Sequence, residues 1–290
     1  VLASAWDMVR DGELAASRFL DAALRALGVE EHSSVIQGLL GRVATCLSGF
    51  LPPAVRHDLA QETADQLLTL VRAAQAGSDK QLQLVRALAA HAVTGEQLDV
   101  VTGLLEGSAV LDGLDVDQDL RWDLLTALVA ADRYGEEQIR AEEAQDRTTT
   151  GRERAAEARA AVPTPEAKAA TWRALIDDAS MPNETQVRVL RGLTSVERRP
   201  ELLVPFVSSY VEAIDSVWSS RTFHMAENLL TGLWSCSTVG LDGSDPATAL
   251  KGWLESHAQA PAALRRIVRE NLDDTLRVAR AQAAESADNQ

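Results

Sequence analysis

The sequence contains very little cysteine. Its 290 residues include two cysteines, Cys46 and Cys236, and both lie in or beside apolar segments with helical spacing. Two distant thiols do not make the disulfide framework on which small secreted domains depend. A lone cysteine in an apolar segment is typically a buried free thiol. We therefore predict two unpaired thiols and a reducing, cytoplasmic compartment.

Long apolar runs and an excess of positive charge are also missing. No run approaches the roughly 20 apolar residues that span a bilayer, and the start has no basic region typical of a signal peptide. The formal net charge is -15, which repels nucleic-acid phosphates and anionic lipids. Neither nucleic acids nor membranes are expected as partners. The chain begins without Met, as if inside a helix, so we expect it to belong to a longer polypeptide.

Motifs of common catalytic sites do not occur. His-Glu-x-x-His would place two imidazoles and a general-base carboxylate on one helix face, and it is missing, as are phosphate-binding glycine loops and Gly-x-Ser-x-Gly. The five histidines are far apart in the sequence, at His32, His57, His91, His224 and His257. We predict no catalytic, cofactor-binding or metal-binding residue in this chain, and we leave the substrate-contact residues open.

Paired carboxylates and tryptophans are the side chains most suggestive of a site. Glu136-Glu137 and Glu142-Glu143 lie in a segment with few apolar residues, which favours a solvated face over a catalytic pair. The tryptophans fall on or beside apolar helical stripes, which favours core packing over a ligand cage. They are Trp6, Trp122, Trp172, Trp218, Trp234 and Trp253.

Arg121 is a further candidate because it precedes Trp122, which the pattern predicts to be buried. A guanidinium in this position suits a salt bridge between helices. It could instead face a cavity and bind the carboxylate of a peptide. The sequence favours the salt bridge.

Apolar residues spaced three and four apart run along the whole chain, which indicates helix after helix. The first four helices are predicted at 2–10, 13–27, 33–50 and 54–76. The next three are predicted to begin after side-chain N-caps at Ser78, Thr94 and Asp117. Residues 136–160 carry many charges, so we expect two solvated helices on an edge. The last helix is expected to end near Glu285, with a frayed tail over 286–290.

Some fourteen to sixteen short amphipathic helices cannot all surround one compact centre. Stacked antiparallel pairs bury such apolar stripes one after another. We therefore predict an all-α fold, a single helical-repeat domain over 1–290 that forms a curved, right-handed superhelix like HEAT or armadillo repeats. No fixed sequence motif recurs at one period, so this label describes a shape.

Several colinear stretches resemble one known family. The segment Gly113–Leu128 is similar to a characteristic stretch in the C-terminal domain of actinobacterial aminopeptidase N, a gluzincin zinc metallopeptidase. Similar stretches occur in the same order along the chain. They are Trp6–Leu14, Ser78–Arg86, Asp146–Arg152 with Pro165–Trp172, Met181–Gln186 and Ala260–Arg266.

The resemblance implies a non-catalytic domain that covers the active site and shapes a peptide chamber. It implies zinc and the catalytic residues in a preceding domain, which is missing from this chain. The implied partners are that catalytic domain and peptide substrates of the whole enzyme. The alternative is a free-standing HEAT-like scaffold that binds another protein.

Overall fold

The computed structural model describes residues 2–196 and 198–288, and in these residues the regular structure is entirely helical. Fifteen α-helices follow one another through short connections. They are α1 Leu2–Asp11, α2 Ala16–Val29, α3 Ser33–Thr45, α4 Pro53–Ala73, α5 Asp79–His91, α6 Gly95–Glu106, α7 Gln118–Ala130, α8 Glu136–Gln145, α9 Thr149–Ala161, α10 Pro165–Asp177, α11 Asn183–Thr194, α12 Phe206–Ser220, α13 Phe223–Gly232, α14 Pro246–Ser256 and α15 Ala262–Asp288.

The three predicted N-caps are confirmed. The side chain of Ser78 accepts from the amide of Gln81, and that of Asp117 accepts from the amide of Leu120 at 2.8 Å. Thr94 forms a reciprocal capping box with Gln97. Each cap satisfies an amide that the first turn of a helix leaves without an internal partner, so these residues fix where the helices begin.

Two compact units divide the helices. The first contains the helices that precede Asp132 together with α15 from Ala279 onward, and its core includes Phe19, Leu84 and Trp122. The second covers Asp132–Val278, and its core includes Trp172, Tyr210 and Ile267. Sequential helices pack in pairs within each unit, which confirms the all-α helix-pair prediction. The single domain over 1–290 and its right-handed superhelical course stay predictions.

The interpretation of 136–160 as two solvated helices is wrong for α9. This helix packs along α11 more extensively than any other pair of helices, and Ala155, Ala158 and Ala161 are fully buried. Small side chains explain the error, because alanine and glycine let two backbones approach closely without a large apolar stripe. At Gly192 of α11, an added Cβ would collide with the carbonyl oxygen of Glu157 in α9.

Two predicted helix ends also differ. The α3 helix ends at Thr45, and Cys46–Phe50 continue as a single π-helical turn. The tail expected to fray is helical as far as Asp288, where the carboxylate pairs with Arg18 at 2.7 Å. The last two residues of that tail, 289 and 290, lie outside the described part of the chain.

Candidate functional site

The tryptophans are mainly packing residues, as predicted. Trp122, Trp172 and Trp253 are buried. Trp6 is partly buried and stacks on Phe50, with 5.5 Å between ring centroids. Trp172 stacks on Phe206 in the same way at 4.8 Å. The contacts of these rings with other aromatic side chains support core packing rather than a cage.

The two cysteines are free thiols, as predicted. Cys46 is fully buried, and desolvation raises its pKa, with a smaller contribution from the nearby Glu285 carboxylate. Burial likewise raises the pKa of Cys236 to about 11. A thiol in such surroundings stays protonated at neutral pH and is a poor nucleophile.

One carboxylate of each glutamate pair, Glu136 and Glu143, forms salt bridges with arginine. Glu136 pairs with Arg159 at 3.0 Å and with Arg140 at 2.8 Å, and its hydrogen bonds to Arg159 lower the pKa of the Glu136 carboxyl. Glu143 also pairs with Arg159. The predicted solvated face is wrong for Glu142, because this side chain is 3% exposed. Its polar appearance in the sequence gave no signal of burial.

Arg121 contacts the end of the preceding helix. Its Nη1 donates to the carbonyl oxygen of Leu105 at 3.1 Å, in the last turn of α6. The last four carbonyls of a helix have no partner within the helix and carry partial negative charge, so a guanidinium stabilises them. No local sequence pattern indicates this role. The side chain also lines a cavity, as the second interpretation expected.

Basic side chains of the second unit make the same kind of contact. Lys168 is fully buried and donates from Nζ to Ala160 at 2.8 Å and to Gly192 at 3.0 Å, near the ends of α9 and α11. Arg221 donates to Ile176 in α10, and Arg265 donates to Leu254 in α14, both at 2.8 Å. These contacts join helix ends to basic residues of neighbouring helices, or of a connection in the case of Arg221. The sequence shows the basic residues but not which carbonyl each reaches.

A cavity lies beside Arg121 in the first unit. Its volume is about 260 Å³, and its wall comes from the end of α6, the connection 107–117 and the start of α7. Most of the lining is aliphatic. It comprises Leu104, Leu105, Gly107, Ala109, Val110, Leu111, Leu114 and Val116, with Glu106 and Arg121 as the charged members.

Comparison with known proteins decides the family. The model of the ERAP1-like C-terminal domain matches residues 1–277. The chain belongs to this family. Its sequence is 41% identical over 285 residues to a protein named Aminopeptidase N from Streptomyces lividans. That match covers 98% of this chain and 33% of the relative, so the chain spans about a third of the relative's length.

Membership in the ERAP1-like C-terminal domain family confirms the resemblance carried by the colinear stretches. It also raises the question of a metal, since the resemblance implies zinc. Among residues 2–196 and 198–288, no three His, Cys, Asp or Glu side chains form a group that could hold a metal ion. His32, His57 and His224 are exposed and lie in different helices or connections. The described residues therefore do not fit a zinc site.

In the described part of this ERAP1-like C-terminal domain, no helix combines the length and the apolar character needed to cross a bilayer. Even the longest, α15, contains charged residues throughout.

Proposed function

We propose that this chain is the non-catalytic C-terminal domain of a zinc-dependent aminopeptidase N, which releases N-terminal residues from peptides in the cytoplasm. The observation that carries this proposal is the match of nearly the whole chain to one third of an aminopeptidase N. The remaining two thirds of such an enzyme would supply the zinc ligands and the catalytic acid and base. In this proposal the domain covers the active site and limits access to peptides.

Two properties of the chain support the role of a wall rather than of a catalyst. Its helices bury apolar side chains against each other, and such packing requires no catalytic groups. Its negative charge of -15 favours the approach of a peptide with a protonated N-terminus. The two protonated thiols are compatible with a reducing compartment.

The test compares three proteins: this chain alone, the catalytic part encoded upstream in the same reading frame, and the two parts joined. Hydrolysis of an aminoacyl-4-nitroanilide and of peptides of increasing length is measured with zinc present. We expect no turnover by the chain alone. We expect the joined protein to discriminate between peptide lengths more strongly than the catalytic part alone.

A chelator-sensitive activity of the chain alone would contradict the proposal. An open reading frame that starts near Val1, with no upstream His-Glu-x-x-His segment, would instead favour the free-standing scaffold. If the hydrolysis rate depended on peptide length in the same way with and without the domain, the domain would have no role in substrate access.

A further inference from the structure

We propose that the cavity between α6 and α7 binds a short peptide segment in which an apolar side chain stands next to a lysine or arginine. The apolar part of this inference comes from the lining, which is mainly leucine and valine. Val110 is 80% exposed at this cavity, although an aliphatic side chain is stabilised by burial. An apolar side chain of a ligand would cover it.

The wall of the cavity is held in place before any ligand arrives. In the connection 107–117, the amide of Ala109 donates to the carbonyl of Gly103 at 2.9 Å. A Cβ on Gly103 would lie 2.8 Å from the Cβ of Ala109, so the two backbones are in close contact. A site that is already formed loses little conformational entropy on binding.

The other end of the connection is fixed against the first turn of α5. Gly113 has φ +73°, a conformation that side chains disfavour, and a Cβ there would lie 2.5 Å from the amide nitrogen of Gly77. Gln81 donates to the carbonyl of Asp112 at 3.3 Å and accepts from the amide of Gly77 at 2.9 Å. The contacts at the two ends of the connection involve glycines and backbone atoms. The outward side chains of the connection can therefore contact a ligand.

The charge around the cavity selects a cationic ligand. Between Arg86 and Arg121 the sequence contains no lysine or arginine. Its acidic residues are Glu96, Asp99, Glu106, Asp112, Asp115, Asp117 and Asp119. Glu106 lines the cavity, and Asp112 and Asp115 are exposed on its connection. An apolar pocket with acidic surroundings attracts a nearby ammonium or guanidinium.

Arg121 is the one basic residue in the lining, and a guanidinium could bind a carboxylate ligand instead of a cation. Its guanidinium already stabilises the end of α6 through Leu105. Over 106–121 the formal balance is five acidic residues against this one arginine. The cavity therefore favours a cation over a carboxylate. The inference concerns binding by this chain alone and does not depend on the proposed enzyme.

The experiment measures the fluorescence anisotropy of a labelled, C-terminally amidated hexapeptide of alternating leucine and lysine with the chain at low salt. A second peptide carries glutamate in place of lysine. Val110→Ser tests the apolar contact without changing the charge, and Val29→Ser is its matched control because Val29 is 83% exposed and does not line the cavity. The double variant Asp112→Asn/Asp115→Asn tests the charge, with Asp58→Asn as an exposed acidic control.

We expect the lysine peptide to bind at least tenfold more tightly than the glutamate peptide. Val110→Ser should weaken its binding about tenfold, which corresponds to about 1.4 kcal/mol. The double variant should weaken it about threefold at low salt and less at high salt, while both controls bind like the original chain. Circular dichroism checks that each variant is folded.

Equal binding of the two peptides, or the same effect of Val110→Ser and Val29→Ser, would overturn the inference. A peptide with a free C-terminal carboxylate could instead bind more tightly than the amidated peptide, and Arg121→Gln could abolish that difference. This result would replace the proposed cation site with a carboxylate site. Failure of either kind would leave the proposed aminopeptidase function untouched, because that proposal is tested by peptide hydrolysis in the joined protein.

Discussion

At Gly192, in the second unit, there is no room for a side chain. A Cβ there would collide with the carbonyl oxygen of Glu157 and would lie 2.8 Å from the Cβ of Ala160. We expect Gly192→Ala to reduce the free energy of unfolding by about 3 kcal/mol, because backbone atoms of α9 cannot move aside cheaply. Urea denaturation followed by circular dichroism measures the change.

The matched control is Gly252→Ala in α14, where nothing lies within 4 Å of the added Cβ. This substitution should stabilise the protein by about 0.5–1 kcal/mol, since alanine favours a helix interior more than glycine does. If both variants lost stability equally, the close approach of α9 and α11 would not be the cause.

The two thiols give a second prediction, on pH. Burial raises the pKa of Cys236 to about 11 and also raises that of Cys46, whereas a thiol in the unfolded chain titrates near 8.5. Above that pH the unfolded chain binds fewer protons than the folded one, so stability falls as pH rises. Below about pH 8 the contribution of the thiols is fully present.

The double variant Cys46→Ala/Cys236→Ala should therefore lose less stability than the original chain between pH 8.5 and 9.5. We expect a difference in slope of about 1 kcal/mol per thiol and pH unit. Urea titrations at four pH values measure it, and a constant offset between the two proteins does not affect the comparison. Identical slopes would mean that the folded thiols ionise as readily as the unfolded ones.

At the scale of the element, basic side chains from outside a helix stabilise its C-terminus. Arg265, in the first turn of α15, donates from Nη1 to Leu254 at 2.8 Å and to His257 at 2.6 Å, at the end of α14. We expect Arg265→Met to cost about 2 kcal/mol, because it removes charge-assisted hydrogen bonds from partly buried carbonyls. Arg269→Met is the control, since this arginine is exposed on the same helix. Similar urea midpoints for the two variants would refute the helix-end role.

The end of α15 acts on the start of α2 in a comparable way. The buried carboxylate of Glu285 accepts from the amide of Ser17 at 2.9 Å, where Ala15 provides no side-chain cap. Gln282 donates to the carbonyl of Gly49 in the π-helical turn at 2.7 Å. A carboxylate at a helix N-terminus accepts a hydrogen bond from an unpaired amide and interacts favourably with the helix dipole.

We therefore expect Glu285→Ala to cost about 2 kcal/mol and to speed hydrogen exchange at the first amides of α2. Glu285→Gln should cost less, because its amide oxygen still accepts from Ser17. Glu255→Ala, at an exposed acidic position of α14, should have little effect. Unchanged exchange in α2 after Glu285→Ala would show that this cap is dispensable.

The same elements show what could be predicted from the sequence. Asp117 and the apolar stripe after it fix α7, since capping and periodicity are local properties. The local pattern does not predict the burial of α9, because its contact with α11 depends on Gly192, more than thirty residues after the middle of α9. The cavity likewise needs the approach of Gly113 to Gly77, which no local pattern reveals. Because such contacts join residues that are distant in the sequence, local patterns predict the helices but not the cavity.

At the scale of the whole molecule, the excess of acidic residues is the property that both proposals share. The first unit, with 20 acidic and 10 basic residues over 1–131 and 279–290, has a formal charge of -10, and 132–278 has the remaining -5. The cavity lies in the more acidic unit. A long-range field of this sign acts on approaching cations before any contact forms.

This field leads to a prediction for the joined enzyme of the proposed function. The association rate of a short peptide with two lysines should fall about tenfold between 10 mM and 150 mM salt, because the Debye length shrinks from roughly 30 Å to 8 Å. Stopped-flow fluorescence with a quenched peptide measures this rate. A peptide of the same length with no net charge should associate at nearly the same rate in both buffers. If the lysine peptide were equally insensitive to salt, the acidic surface would contribute nothing to substrate capture, and the charge would have to be explained by solubility alone.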